Sequence, residues 1–275
     1  LSGLVGSEMC IRDSVNTAPA AITGSNTVCL GATTTLADVT PGGVWSSSAP
    51  ATASVGTAGN VTGNAVGVAN IIYTLGTCTA TKSITVNAYP AAISGTNTVC
   101  QGATTPYTDV TPGGAWTSAA PGTASVSAGG IVTGNAAGST SISYTVGGCS
   151  VTNPITVNAA PANFTVSGGG SYCPANPSPT IGISGSAIGV SYQLHNGAVP
   201  VGAALAGAGA ALSYGSFTVA GTYTVLATDA VSGCTAAMAG SAVITTAPVV
   251  VPSVTISSGI SGLVCAGTLG TFTAN

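Results

Sequence analysis

The chain has 275 residues, 45% of them hydrophobic, yet only 3% are charged, against roughly 25% in an ordinary soluble domain. Net charge is −3 and the only bases are Arg12 and Lys82, so no patch can neutralise a run of phosphates, and nucleic acid and anionic membrane surfaces are excluded as partners. Glu, Lys, Arg and Gln, which fill exposed helical faces, are nearly missing, while Ser, Thr, Asn and Gly supply the polar side; this composition points to strands rather than helices.

Residues 1–14, LSGLVGSEMCIRDS, hold three of the seven charged residues (Glu8, Arg12 and Asp13) together with Cys10. The composition then changes abruptly, which marks a boundary. The stretch EMCIRDS resembles translated sequencing-adapter sequence, and we treat 1–14 as a non-native or disordered leader that takes no part in the fold.

An internal repeat follows. Pro19–Ala88 aligns with Pro90–Ala159 at a constant offset of 71 without a gap, and 45 of the 70 positions are identical. The offset relates Cys29 to Cys100, Trp45 to Trp116, Tyr73 to Tyr144 and Cys78 to Cys149. We therefore place one domain at 15–88 and a second at 89–159. Within each the apolar period is two: Ile142, Tyr144 and Val146 alternate with Ser141, Ser143 and Thr145, as in a half-buried strand. Thr40-Pro41-Gly42-Gly43, Gly59-Asn60 and Gly63-Asn64 supply turn chemistry between the runs. The pattern predicts an all-β chain of tandem Ig-like antiparallel β-sandwiches arranged as beads, with Trp45, Trp116, Tyr73 and Tyr144 as core aromatics.

Residues 160–248 read as a longer sandwich of a different repeat type. Val190, Tyr192 and Leu194 form one inward row and Tyr223, Val225 and Ala227 another, and Asn196-Gly197 is a hairpin signal. Residues 249–275 read as the truncated start of a fourth repeat. No apolar run reaches the roughly 18–20 residues of a spanning helix.

Setting aside Cys10, and Cys265 in the fourth unit, six cysteines fall two per domain: Cys29 and Cys78, Cys100 and Cys149, Cys173 and Cys234. Spacing alone leaves their connectivity open. Tandem domains each fold alone, so the economical expectation is pairing within each domain, closing loops of about fifty to sixty residues and contributing on the order of 4 kcal/mol apiece. Such usage fits an oxidising exterior. No CxxC occurs and His195 is the single histidine, so we expect no zinc site and no other cofactor.

The frame WSSSxPxxASVxxxGxVTGxxxGxxxIxYT, in Trp45–Thr74 and Trp116–Thr145, resembles the bacterial Ig-like (group 2, Big-2-like) repeats of large surface proteins. The cysteine-flanked form NTVCxGATT with GxC and ITVNA is similar to repeats of giant secreted proteins of the Bacteroidetes, as are GGGSYCPAN, GVSYQLHNGAVPVG and GTYTVLATDAVSGCTA of the third unit. The resemblance implies a cell-surface or secreted multidomain protein exported by the type IX system. It brings no catalytic residues with it.

Each complete domain holds a single carboxylate, Asp38, Asp109 or Asp229, too few for glycoside hydrolysis or a calcium site. Asp38 and Asp109 precede TPGG as turn caps. A Ser–His–Asp set using His195 and Asp229 lacks the GxSxG elbow, and a solvated strand-end histidine is the better reading. The chain is thus read as a non-enzyme, a structural or adhesive stalk segment outside the cell. The alternatives are a glycan-binding adhesin module, with Tyr107, Tyr172 and Tyr214 as candidate contacts for a surface polysaccharide, and accessory repeats of a secreted enzyme whose catalytic domain lies elsewhere. Otherwise its partners are the neighbouring domains of the same chain.

Overall fold

The computed structural model describes residues 18–174 and 177–246; the leader, Cys10 and the fourth unit with Cys265 lie outside them. The described residues form strands and turns with no helix. The first repeat contributes β1 (Thr27–Cys29), β2 (Thr33–Thr35), β3 (Val44–Ser47), β4 (Ala53–Val55), β5 (Asn60–Gly63), β6 (Gly67–Leu75) and β7 (Cys78–Asn87). They build a sheet of order β1-β7-β6-β3 facing a smaller one of order β2-β5-β4. Alternation sets the packing: Ala69, Ile71 and Tyr73 of β6 and Ile84 and Val86 of β7 are buried with Val28, Leu36 and Val61.

The second repeat copies this at the same offset: β8 (Thr98–Cys100), β9 (Thr104–Pro106), β10 (Ala115–Ser118), β11 (Ala124–Val126), β12 (Ile131–Gly134), β13 (Gly138–Val146) and β14 (Cys149–Asn158). Its sheets are β10-β13-β14-β8 and β11-β12-β9. In both repeats the short first strand runs parallel to the end of the last one, Cys29 opposite Asn87 and Cys100 opposite Asn158.

Tryptophan and tyrosine organise the TPGG corner. The Tyr73 hydroxyl donates to the Thr40 carbonyl (2.6 Å) and accepts from the Gly43 N–H (2.9 Å), and Tyr144 repeats this with Thr111 and Gly114. Trp45 stacks at 4.7 Å on Tyr73 and Trp116 at 4.6 Å on Tyr144. The tyrosines are buried, while the tryptophans are half-buried at the edge of the core. A Cβ at Gly43 would lie 2.4 Å from the Tyr73 ring, which is why that position has no side chain.

The third region forms β15 (Val166–Gly168), β16 (Gly170–Tyr172), β17 (Thr180–Ile183), β18 (Val190–Asn196), β19 (Val199–Ala206), β20 (Leu212–Ser216), β21 (Gly221–Asp229), β22 (Thr235–Ala237) and β23 (Ala242–Thr246). Its sheets are β15-β17-β20 and β16-β23-β21-β18-β19, with β22 paired to β21. Both inward rows read from the sequence are buried. The hairpin signalled by Asn196-Gly197 turns one residue later, through Gly197-Ala198, because Asn196 still pairs with Val199.

Two compact units result. Among the described residues, one comprises 18–162 with Thr228–Ala236, the other Asn163–Ala227 with 237–246. The two tandem repeats both fall in the first of these units, each as a sandwich with its own core. A short segment from the third region, the turn after β21 with the start of β22, belongs to that unit.

Candidate functional site

The feature that sets the first unit apart is its covalent bonding. Cys29 is bonded to Cys149 (Cα–Cα 5.7 Å) and Cys100 to Cys234 (5.5 Å). Cys78 is also in a disulfide, and Cys173 is free. The expected bridges Cys29–Cys78, Cys100–Cys149 and Cys173–Cys234 are not formed. For the first two the reason is strand length, and for the third Cys234 is already bonded to Cys100. Cys29 lies beside Asn87 at one end of β7, and Cys78 begins that same strand. Nine residue steps at about 3.3 Å place the two cysteines roughly 30 Å apart, far beyond the reach of a disulfide. Cys100 and Cys149 stand in the same relation along β14.

The geometry instead sets the hairpin tip of one repeat against the end of the preceding one. β13 and β14 are joined by Gly147-Gly148, with φ of 59° and 84°, the left-handed pair that a two-residue hairpin needs. The Gly147 carbonyl accepts a 2.7 Å bond from the Asn87 side-chain amide. A Cβ on Gly147 would lie 2.7 Å from that amide nitrogen, and one on Gly148 would lie 3.5 Å from Thr27 Oγ1. Cys149, one residue past the tip, is buried and meets Cys29, which closes β1. The junction is thus crossed twice by covalent chain, once by the linker after Asn87 and once by the bridge.

The second bridge is held by a turn rich in hydrogen bonds. Asp229 Oδ1 accepts from the Val231 N–H (3.1 Å), the Ser232 N–H (2.7 Å) and the Ser232 hydroxyl (2.8 Å). These bonds, those of Ser232 first, hold the carboxyl below its usual value. The Asp229 N–H donates to the Cys234 carbonyl at 2.9 Å, presenting Cys234 to Cys100. Beside this bridge a cleft of about 270 Å³ is lined by Thr98, Thr104, Thr105, Asn158 and Ser232 among others. It holds hydroxyls and amides but no charge and no aromatic ring.

The remaining candidates are placed by their own neighbourhoods. Asp38 and Asp109 accept from the N–H two residues on, at 2.8 and 2.7 Å, as Asx turns before TPGG. His195 is part-exposed on β18, with Nδ1 at 3.2 Å from the Gln193 carbonyl, and Asp229 is occupied by its turn. Tyr107 is 1% exposed, in the core, with its hydroxyl toward the Pro154 carbonyl; burial raises its pKa. Tyr214 is part-buried and donates to the Tyr192 carbonyl, and burial pushes its pKa up to about 12. Tyr172 is part-exposed at the end of β16. Among the described residues no three His, Cys, Asp or Glu side chains gather as metal ligands, and no helix is long and apolar enough to cross a membrane. The sequence reading missed Asn87 and Gly147. Their signal was the position of Cys78 and Cys149 directly after a glycine turn, which puts each cysteine at a hairpin tip.

Residues 13–86 match the family model of the bacterial Ig-like domain (group 2), which covers the first repeat. Among solved structures, domains 4 and 5 of the S-layer protein SbsC are 21% identical over 51% of this chain and 99% of that one, with a TM-score of 0.27. A longer piece, SbsC domains 4–9, is 20% identical over 83% of this chain, which spans 48% of it, with a TM-score of 0.26. Extracellular domains 3–5 of Drosophila OTK are 12% identical over 84% of this chain and 98% of that one, with a TM-score of 0.31. No curated protein is significantly similar in sequence. The chain is all-β and built of Ig-like sandwiches.

Proposed function

We propose that this chain is a non-catalytic segment of an extracellular stalk, whose disulfides let it carry tension without paying out its full length. The observation that carries this reading is the interlacing of the two bridges, Cys29–Cys149 and Cys100–Cys234. Neither closes a loop within a single repeat, and they join residues 120 and 134 positions apart, so the bonds constrain the tether and not merely the fold. The Ig-like match of the first repeat and its near-copy in the second support the same reading, because repetition supplies length directly. Its disulfides support an oxidising compartment outside the cytosol, where such bonds form and persist. Of the aromatics proposed for a surface polysaccharide, Tyr107 is core and Tyr214 is part-buried and hydrogen-bonded, which leaves part-exposed Tyr172 as the one to test.

The test is single-molecule extension of the whole chain. With both bridges intact, the shortest covalent path from Cys29 to Cys234 runs back through the second repeat, about 50 residues or at most roughly 170 Å. After reduction the same span of about 205 residues releases roughly 700 Å. Full release without reductant overturns the tension-bearing reading. Retention of the oxidised chain on insoluble polysaccharide, abolished by Tyr172→Ala, would replace it with the glycan-binding one.

A further inference from the structure

Cys173 holds, in the third region, the place that Cys29 and Cys100 hold in the repeats. In each case a three-residue strand ends at or directly before the cysteine and runs parallel to the last strand of its sandwich: Thr27–Cys29 along β7, Thr98–Cys100 along β14, Gly170–Tyr172 along β23. Two of these three first-position cysteines are bonded, each to a cysteine lying later in the chain by 120 or 134 residues. Both partners sit at hairpin turns directly after glycine, Gly148-Cys149 and Gly233-Cys234, and both are buried. Cys173 is half-buried and free. Cys265 lies outside the described residues; its sequence, LVCAGT, follows the same TVCxGAT-like pattern and has no glycine directly before the cysteine, so it does not match the partner pattern.

We propose that Cys173 is a covalent attachment point for a following Ig-like repeat, its partner being the glycine-preceded cysteine at that repeat's hairpin tip. The first-position cysteine of one sandwich is bonded to the tip cysteine of the next, and the rule propagates along the stalk. This deepens the stalk reading and rests on it. The bond forms by thiol–disulfide exchange with a carrier disulfide of an oxidising compartment. The Cys173 thiolate attacks one carrier sulfur, giving a mixed disulfide and releasing the other sulfur as thiolate. The tip thiolate then displaces the carrier from Cys173. Two thiols have lost two protons and two electrons, and the carrier leaves as the dithiol.

The experiment is a non-reducing peptide map of the full-length native protein after free thiols are blocked with N-ethylmaleimide at acidic pH. The expected result is an unlabelled Cys173 peptide joined to a peptide whose cysteine follows glycine at a hairpin tip. A labelled Cys173, or a bond from Cys173 to Cys265 or Cys10, overturns the proposal. Cys173→Ser in the same protein is expected to expose one new thiol, on a tip cysteine of a following repeat, and no new thiol also overturns it. The same map reads Cys29–Cys149 and Cys100–Cys234. If these are present while Cys173 is labelled, only the attachment proposal fails; if they are absent, the stalk reading fails.

Discussion

At the residue scale the most informative side chains are Tyr73 and Tyr144. Each closes the TPGG corner with its hydroxyl as donor and acceptor at once, and each carries a tryptophan on its ring. Removing the hydroxyl leaves a glycine N–H and a threonine carbonyl without that partner, a loss of about 1–3 kcal/mol. Tyr73→Phe and Tyr144→Phe should therefore destabilise their repeats by similar amounts in urea denaturation, whereas unequal losses would mean the two corners are not equivalent. The few titrating groups set the pH dependence. Asp229 has a lowered pKa, so its contribution is present above the ordinary carboxylate range near 4 and is lost as pH falls below it. Tyr214 is raised to about 12, so its contribution is complete below pH 10 and is lost as pH climbs from about 10 to 12. Melting temperature should be flat between about pH 5 and 9, and a marked slope there would contradict this assignment of the titrating groups.

At the element scale the long hairpins decide which cysteines meet. β6 with β7 and β13 with β14 are nine and ten residues long, so each second cysteine is carried to the pole opposite its own repeat's first cysteine. The tip of β13–β14 then rests on the Asn87 end of the preceding repeat. Thiol titration separates this arrangement from pairing within repeats. Cys29→Ser should release one thiol, at Cys149, and the double variant with Cys149→Ser should be no less stable than either single one. Release at Cys78 instead would restore the within-repeat pairing. Gly147→Ala adds a side chain against the Asn87 amide at a positive φ, and should cost about 1–3 kcal/mol at the junction while leaving the cores of both sandwiches intact by near-ultraviolet spectroscopy.

At the scale of the whole molecule, covalent bonds take the role that surface charge has in most soluble proteins. Seven charged residues in 275 give salt little to screen, so raising ionic strength from about 0.05 to 1 M should barely move the melting temperature. Reduction should lower it far more. A bridge closing about 120 residues is worth on the order of 5 kcal/mol in the chain-entropy model, and because the two loops overlap, their contributions are shared rather than summed. A reductant that leaves the melting curve unchanged would show that neither bridge stabilises the fold.

The sequence alone determined the strand alternation, the 71-residue period, the TPGG corners and the inward rows of all three regions, because a period-two pattern with glycine turns specifies local structure and sandwich burial without reference to anything distant. It also reserved a place for the tyrosine ring, in the glycine of Gly43 and of Gly114. Only the tertiary structure decided the disulfide connectivity. Two cysteines per repeat satisfy pairing within a repeat and pairing across a junction equally well as counts, and the choice falls to distance: strands ten residues long hold Cys29 from Cys78 and Cys100 from Cys149, and the hairpin turns bring Cys149 and Cys234 to Cys29 and Cys100 instead.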